Sequence, residues 1–325
     1  MAQPLKSRTP STRCVGRTIG RISLAIAALT SVGLASAAGF CVNFQDSARG
    51  PVQALSVQDW SGGSLVAERV VNASTEWPPQ PVTLGVRHWE PILLQLSQRS
   101  DVLRLGASFN ATQTQSGRFA APGGYIEVAF AGKHAAAADH ALRFANPIVT
   151  GVMVPALPDA APRFEFELAT DQQLPGSSGC RAAPAGAPVI AAAVQVAAEG
   201  LEPLKVLRMA SFRFGVNLIG ESGGLRSGQM RLSTRRPELV RLTVPAHQAA
   251  GWTQWVQDVV VQFKDQRRTL TLNLLDAAGK PGLALRLIDT LPVRLSPQLG
   301  ESEPTERYQL DLAPTRVEFL VPAQP

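Results

Sequence analysis

Charge is scarce in this chain. Asp, Glu, Lys and Arg make up 17% of its 325 residues, below the ~25% usual for soluble domains. What positive charge there is sits unevenly. Lys6, Arg8, Arg13, Arg17 and Arg21 precede residue 38 with no acid among them, and without them the balance falls from +6 to +1. Nothing in a total so close to neutral argues for nucleic acid, which requires a clustered basic face. Arg235-Arg236 and Arg267-Arg268 are the only basic pairs, and they lack the interleaved aromatics of a single-strand binding groove. Histidine occurs four times and cysteine three times. His134 and His140 are separated mainly by alanine and have no supporting cysteine, so no zinc-ligand spacing arises. No G-x-S-x-G, H-E-x-x-H or glycine-rich phosphate loop is present. Without a nucleophile–base pair, the sequence carries no catalytic site, no metal and no cofactor. The Asn72 and Asn110 acceptor patterns read as chance.

Long apolar runs are missing too, with one exception. Ile22 to Ala38 is uncharged and apolar, follows a basic stretch, and ends in Ala35-Ser36-Ala37. That is the layout of a secretory signal peptide with cleavage near Ala37 or Ala38. The run is at the short edge of a spanning helix, so cleavage is favoured over an uncleaved membrane anchor, and no later segment is long and apolar enough to span a membrane. The expected location is periplasmic or extracellular. Export means an oxidising compartment, in which the mature chain keeps Cys41 and Cys180. One disulfide between them and two free or buried thiols are equally compatible with the spacing, which says nothing about geometry.

What the chain has in quantity is apolar residues, 45%, together with 27 glycines and 25 prolines. This suits many short strands joined by turns. Alternation predicts strands over residues 40–45, 52–58, 64–71, 82–88, 92–97 and 123–130, then 189–197, 212–219, 228–233, 239–244 and 269–275. Residues 100–116 are ambiguous between the two templates. Residues 249–260 read as a helix, with Trp252, Trp255, Val256 and Val259 on one face.

A long-period self-match organises all of this. Ala141-Leu142-Arg143-Phe144 answers Ala284-Leu285-Arg286-Leu287. Pro162 to Ala169 answers Glu306 to Ala313, an alternating strand each time. Residues 174–188 are rich in glycine, alanine and proline and read as a linker. The expectation is an all-β chain of two tandem barrels related by internal duplication. The segments are 1–38 signal peptide, 39–175 first barrel, 176–188 linker and 189–325 second barrel. Residues 39–175 carry net charge −3 and residues 176–325 net +4. Opposite signs favour contact between halves or between subunits.

Three stretches of the second half resemble the tail-tube superfamily: the tube protein of contractile phage tails and the haemolysin-coregulated protein of the type VI secretion tube. Trp252 to Val260 stands where that family has a helix. Leu272-Asn273-Leu274-Leu275-Asp276-Ala277-Ala278-Gly279-Lys280-Pro281 resembles its strand, glycine turn and strand. Glu301 to Phe319, with Pro304-Thr305-Glu306-Arg307 ahead of an alternating strand, resembles its closing strands. The resemblance implies small barrels whose strands join around a ring. Six barrels fill such a ring, so a two-barrel chain would close it as a trimer, like a tail hub. The export signal is the departure from the family. The expected function is an exported, non-enzymatic structural protein that self-associates. Arg235, Arg236, Arg267 and Arg268 are candidates for its assembly or partner surface. The alternative is a monomeric periplasmic or extracellular module that binds a partner in the cleft between barrels.

Overall fold

The computed structural model describes residues 40–67, 70–71, 81–82, 87–114, 118–119, 123–130, 141–170, 172–176, 183–184, 186–220, 230–235, 237–298 and 307–320. The expected signal peptide, its cleavage site, His134, His140, Cys180 and Arg236 lie outside them.

Strands dominate, as alternation predicts. In chain order they begin with β1 (Phe40–Gln45), β2 (Gln53–Leu55), β3 (Val57–Ser61), β4 (Leu65–Ala67), β5 (Val70–Val71), β6 (Pro81–Val82), β7 (Arg87–Trp89) and β8 (Ile92–Leu96). Helix α1 (Arg99–Thr114) follows, then β9 (Arg118–Phe119), β10 (Tyr125–Phe130), β11 (Ala141–Ala145), β12 (Ile148–Val154), β13 (Phe164–Ala169) and β14 (Gln172–Pro175). The second half runs β15 (Ala193–Ala198), β16 (Leu201–Val206), β17 (Arg208–Met209), β18 (Phe212–Gly220), β19 (Met230–Arg235) and β20 (Val240–Pro245). Helix α2 (Ala250–Val256) continues as a π-turn to Val261, and β21 (Arg268–Leu275), β22 (Pro281–Gln298), β23 (Arg307–Ala313) and β24 (Arg316–Phe319) close the chain.

Each half is a pair of packed sheets. In the first, β14-β11-β10-β1-β2 faces β3-β8-β13-β12. In the second, β24-β22-β21-β15-β16 faces β17-β20-β23-β22, with β22 belonging to both. The strand order is the same, and the helix falls at the same point, after β8 and after β20. The irregularities coincide as well. Asn146 and Asp289 both adopt left-handed backbone, at φ 52 and 47, where the chain turns the corner from one sheet to the next. Asn and Asp tolerate this conformation better than most residues. A bulge then falls between Val149 and Gly151 in β12, and between Pro292 and Arg294 in β22. Among the described residues the sheets do not close into barrels. They are open layers joined at such corners.

Of the segment expected to be a linker, 176–188, residues 177–182 and 185 lie outside the described residues. The hairpin β18–β19 extends the first half's sheet, giving the order β3-β8-β13-β12-β18-β19-β9. One continuous apolar core runs through both halves, from Val42 to Phe319. In each sheet the inward alternate positions supply it: Ile92, Leu94 and Leu96 on β8, Phe164, Phe166 and Leu168 on β13, Leu270, Leu272 and Leu274 on β21.

Helix α1 is an element the alternation did not assign. Val102, Leu105, Phe109 and Thr112 are buried at helical spacing. Asp101 in its first turn is also buried, and it accepts a hydrogen bond from the Ser56 N–H at 2.9 Å. Ser56 is the corner between β2 and β3, so the carboxylate ties the helix to that corner. Burial raises the Asp101 pKa, against the lowering effects of the Ser56 N–H, Arg104 and Ser100. The native state therefore holds this proton more tightly than the unfolded chain. Its contribution to stability falls as pH rises through the window above the ordinary carboxylate value. Acidifying from neutrality should thus stabilise the native chain relative to Asp101→Asn, read as the difference between their urea midpoints. No change in that difference would contradict the assignment.

Candidate assembly surface

The surface on which the two halves meet is the most elaborate site among the described residues. It starts with β12, whose free edge in the first half takes β18 as an antiparallel neighbour. Gly151 stands opposite Gly215, Val152 opposite Phe214, Met153 opposite Arg213 and Val154 opposite Phe212. A Cβ on Gly215 would lie 2.5 Å from the Thr150 carbonyl oxygen, so this close approach requires glycine. On the hairpin's far edge, Met230 and Arg231 pair with Phe119 and Arg118 of β9. The second half's hairpin is thus held on both sides by the first half.

Side chains reinforce the pairing on each face. On one face, Arg213 donates from Nη2 to Glu165 at 2.9 Å, and its Nη1 lies 3.7 Å from Glu167. Both carboxylates belong to β13, one strand beyond β12. On the other face lies an aromatic cluster drawn from both halves. Phe109 packs edge-on against Phe214, with centroids 5.3 Å apart, and Phe214 stacks on Phe212 at 5.9 Å. Phe319, from the last strand, stacks on Phe166 at 5.9 Å and meets Phe164 and Phe214 at 6.4 and 6.2 Å. Each such pair adds about 0.5–1.5 kcal/mol beyond the area buried. The Asn110 side chain of α1 pairs with the Phe319 backbone in both directions, donating to its O at 2.7 Å and accepting from its N–H at 3.0 Å. Gln113 donates to Val317 O at 2.8 Å. Helix α1 thereby covers the outer edge of β24.

Of the described candidate arginines, Arg235 and Arg268 belong to different sheets, and Arg267 directly precedes β21. Arg235 is on β19, opposite Gly215. Arg267 is exposed and pairs with Asp265 at 3.0 Å. Arg268, on β21, donates to Glu199 O and lies 5.8 Å from the centre of the Trp255 ring. Arg267 and Arg268 line an open hollow with Glu199, Gly200, Gln266 and Thr269. Trp252 and Trp255 point into the core, and their indole N–H groups donate to Glu202 O at 3.1 Å and Gln266 O at 2.8 Å. Cys41, on β1, is disulfide-bonded, and its partner lies outside the described residues. Of the histidines, His247 is exposed and His88 sits on β7. No cluster of three metal-ligating side chains occurs among the described residues. Among the same residues no helix is long and apolar enough to cross a membrane.

Sequence reasoning missed the junction itself. The usable signals were Phe212 and Phe214 on one face of a strand, and a phenylalanine in the last strand.

No family model matches the chain, and no curated protein does. Among solved structures, Hcp1 from Flavobacterium johnsoniae is 12% identical, with a TM-score of 0.28 over 39% of this chain and 94% of its own. The baseplate of the anti-feeding prophage is 16% identical, with a TM-score of 0.29 over 41% of this chain and 93% of the matched one. The tube-terminating cap of the same particle is 13% identical, with a TM-score of 0.31 over 43% of this chain and 96% of the matched one.

Proposed function

We propose that this chain is an exported, non-enzymatic structural protein, built of two tail-tube-like units in tandem, that self-associates into a ring or hub. The observation that carries the reading is the shared strand order of the halves, together with the edge-to-edge contact between them. Two copies of one unit already joined through a sheet edge are the beginning of a larger assembly. Three chains would supply six units, a trimer with pseudo-sixfold symmetry. A disulfide at Cys41 agrees with passage into an oxidising compartment, by way of the apolar segment ending near Ala37 and Ala38. A binding module with a ligand cleft between its units fits less well, because the junction is filled by paired strands and six phenylalanines.

Electron microscopy of the purified mature protein tests the reading. Annular particles with a central lumen are expected. Uniform particles of single-chain size would overturn it.

A further inference from the structure

The strand, edge and wall of the contact that the second half makes on the first have counterparts, although Ser64 and Val66 stand where Arg213 and Gly215 do, and among the described residues these counterparts are unused. The hairpin β4–β7 occupies in the first half the place of β18–β19 in the second. Glu90 N–H donates to Ser64 O just as Glu238 N–H donates to Arg213 O. Yet β4 pairs with β7 alone among the described residues. The counterpart of the β12 edge is the stretch of β22 after its bulge, residues 294–298. It pairs with β23 on one side, and on the other no described strand joins it. The burial differs accordingly. Thr150 on β12 is 4% exposed, whereas Val293, its equivalent within the bulge, is 45% exposed.

The second wall of the contact is unused as well. Phe119 in β9 lies seven residues before Ile126, and Phe263 lies seven before Leu270, its equivalent. Phe119 pairs with the hairpin residue Met230. Phe263 is 89% exposed and Val261 67%, with Val260 beside them. Phe263 also holds left-handed backbone, φ 55, which a bulky side chain seldom adopts. Finally, Val317 and Phe319 of β24 are buried, whereas their equivalents on β14, Gln173 and Pro175, are exposed.

We propose that a second copy of this chain occupies this surface, an inference that rests on the self-assembling reading above and names its contact. Strand β4 of one protomer adds antiparallel to residues 294–296 of the next, between β22 and Phe263, as β18 adds to β12 within the chain. Transferring the internal register sets Leu65 opposite Leu295, because Phe214 stands opposite Val152. The contact joins the first half of one copy, net −3, to the second half of another, net +4, so the charges favour this partner. It is head-to-tail, so it repeats until it closes on itself. Val293, Val261 and Phe263, among the largest exposed apolar side chains described, become its buried centre.

The test mixes a Leu65→Cys chain with a Leu295→Cys chain under mild oxidation. A reducible two-chain product is expected on a denaturing gel. None is expected when Ile190→Cys, exposed elsewhere, replaces Leu295→Cys. Phe263→Asp provides a second measurement, with at least a tenfold weakening of self-association and an unchanged thermal midpoint. Ile190→Asp should leave association intact. If the native chain associates but no link forms and Phe263→Asp is without effect, this contact is refuted while the self-assembling reading stands. If the native chain remains single at all concentrations, the reading fails and the contact with it.

Discussion

Phe319→Ala should cost about 3–5 kcal/mol, the range for removing a fully buried phenylalanine. The ring stacks on Phe166 and touches Phe164 and Phe214, and it lies over Gly106, where an added Cβ would meet it at 2.5 Å. The cavity left behind could not collapse readily, because sheet strands and α1 hold its walls by backbone hydrogen bonds. The site is also where the final strand of the second half is held by the first half's helix. Truncation should therefore lower a single cooperative urea transition, followed by fluorescence and by circular dichroism. Two separate transitions in the native chain, or a loss under about 1 kcal/mol in the variant, would show that the halves fold independently and that the junction contributes little.

Reducing the bond at Cys41 should have an effect of similar size. We propose Cys180 as its partner. Sheet order places β14 three strands from β1, with Pro175 opposite Leu142, Leu142 opposite Val128, and Val128 opposite Val42. Three strand spacings are about 14 Å, and the stretch from Gly176 to Cys180 reaches about 13–14 Å when extended. Cys14 precedes the expected cleavage site. Closing a loop of well over 100 residues should stabilise the chain by about 2–5 kcal/mol. The thermal midpoint should fall on adding reductant, fall equally in Cys180→Ser, and stay constant in Cys14→Ser. A drop in the last variant instead would reassign the pair.

Much of this fold is written locally. Burial alternates along β8 and β13 as hydrophobicity does, and β1 begins and ends where the sequence places it. The two stretches Ala141–Ala169 and Ala284–Ala313 match because both alternate, with Phe144 and Leu287, Phe166 and Leu310, and Leu168 and Leu312 buried at corresponding positions. Asn146 and Asp289 lie within them, but their left-handed corner could not be read from residue type alone. Helix α1 stayed hidden for an identifiable reason. Gly106 interrupts it as a helix breaker would, and Ser108, Asn110, Thr112 and Gln113 dilute its apolar stripe. Three of these have partners some 200 residues away: Gly106 makes room for Phe319, Asn110 pairs with that residue's backbone, and Gln113 donates to Val317 O. The residue choices at these positions answer to so distant a neighbour and not to the local apolar spacing of Val102, Leu105 and Phe109. The junction was illegible on the same grounds. Nothing in Phe212–Gly215 says that its edge partner is β12 rather than a strand of its own half. The four arginines stand out in the sequence as its only basic pairs; Arg267 pairs with Asp265, and Arg268 donates to Glu199 O.

On the proposed reading, further copies of the chain fill the counterparts of the junction that are unused among the described residues. The most direct measurement is the solution mass of the mature protein by light scattering across a concentration series. Three chains per particle, stable on dilution, is the predicted result. A mass of one chain at every concentration would contradict the account.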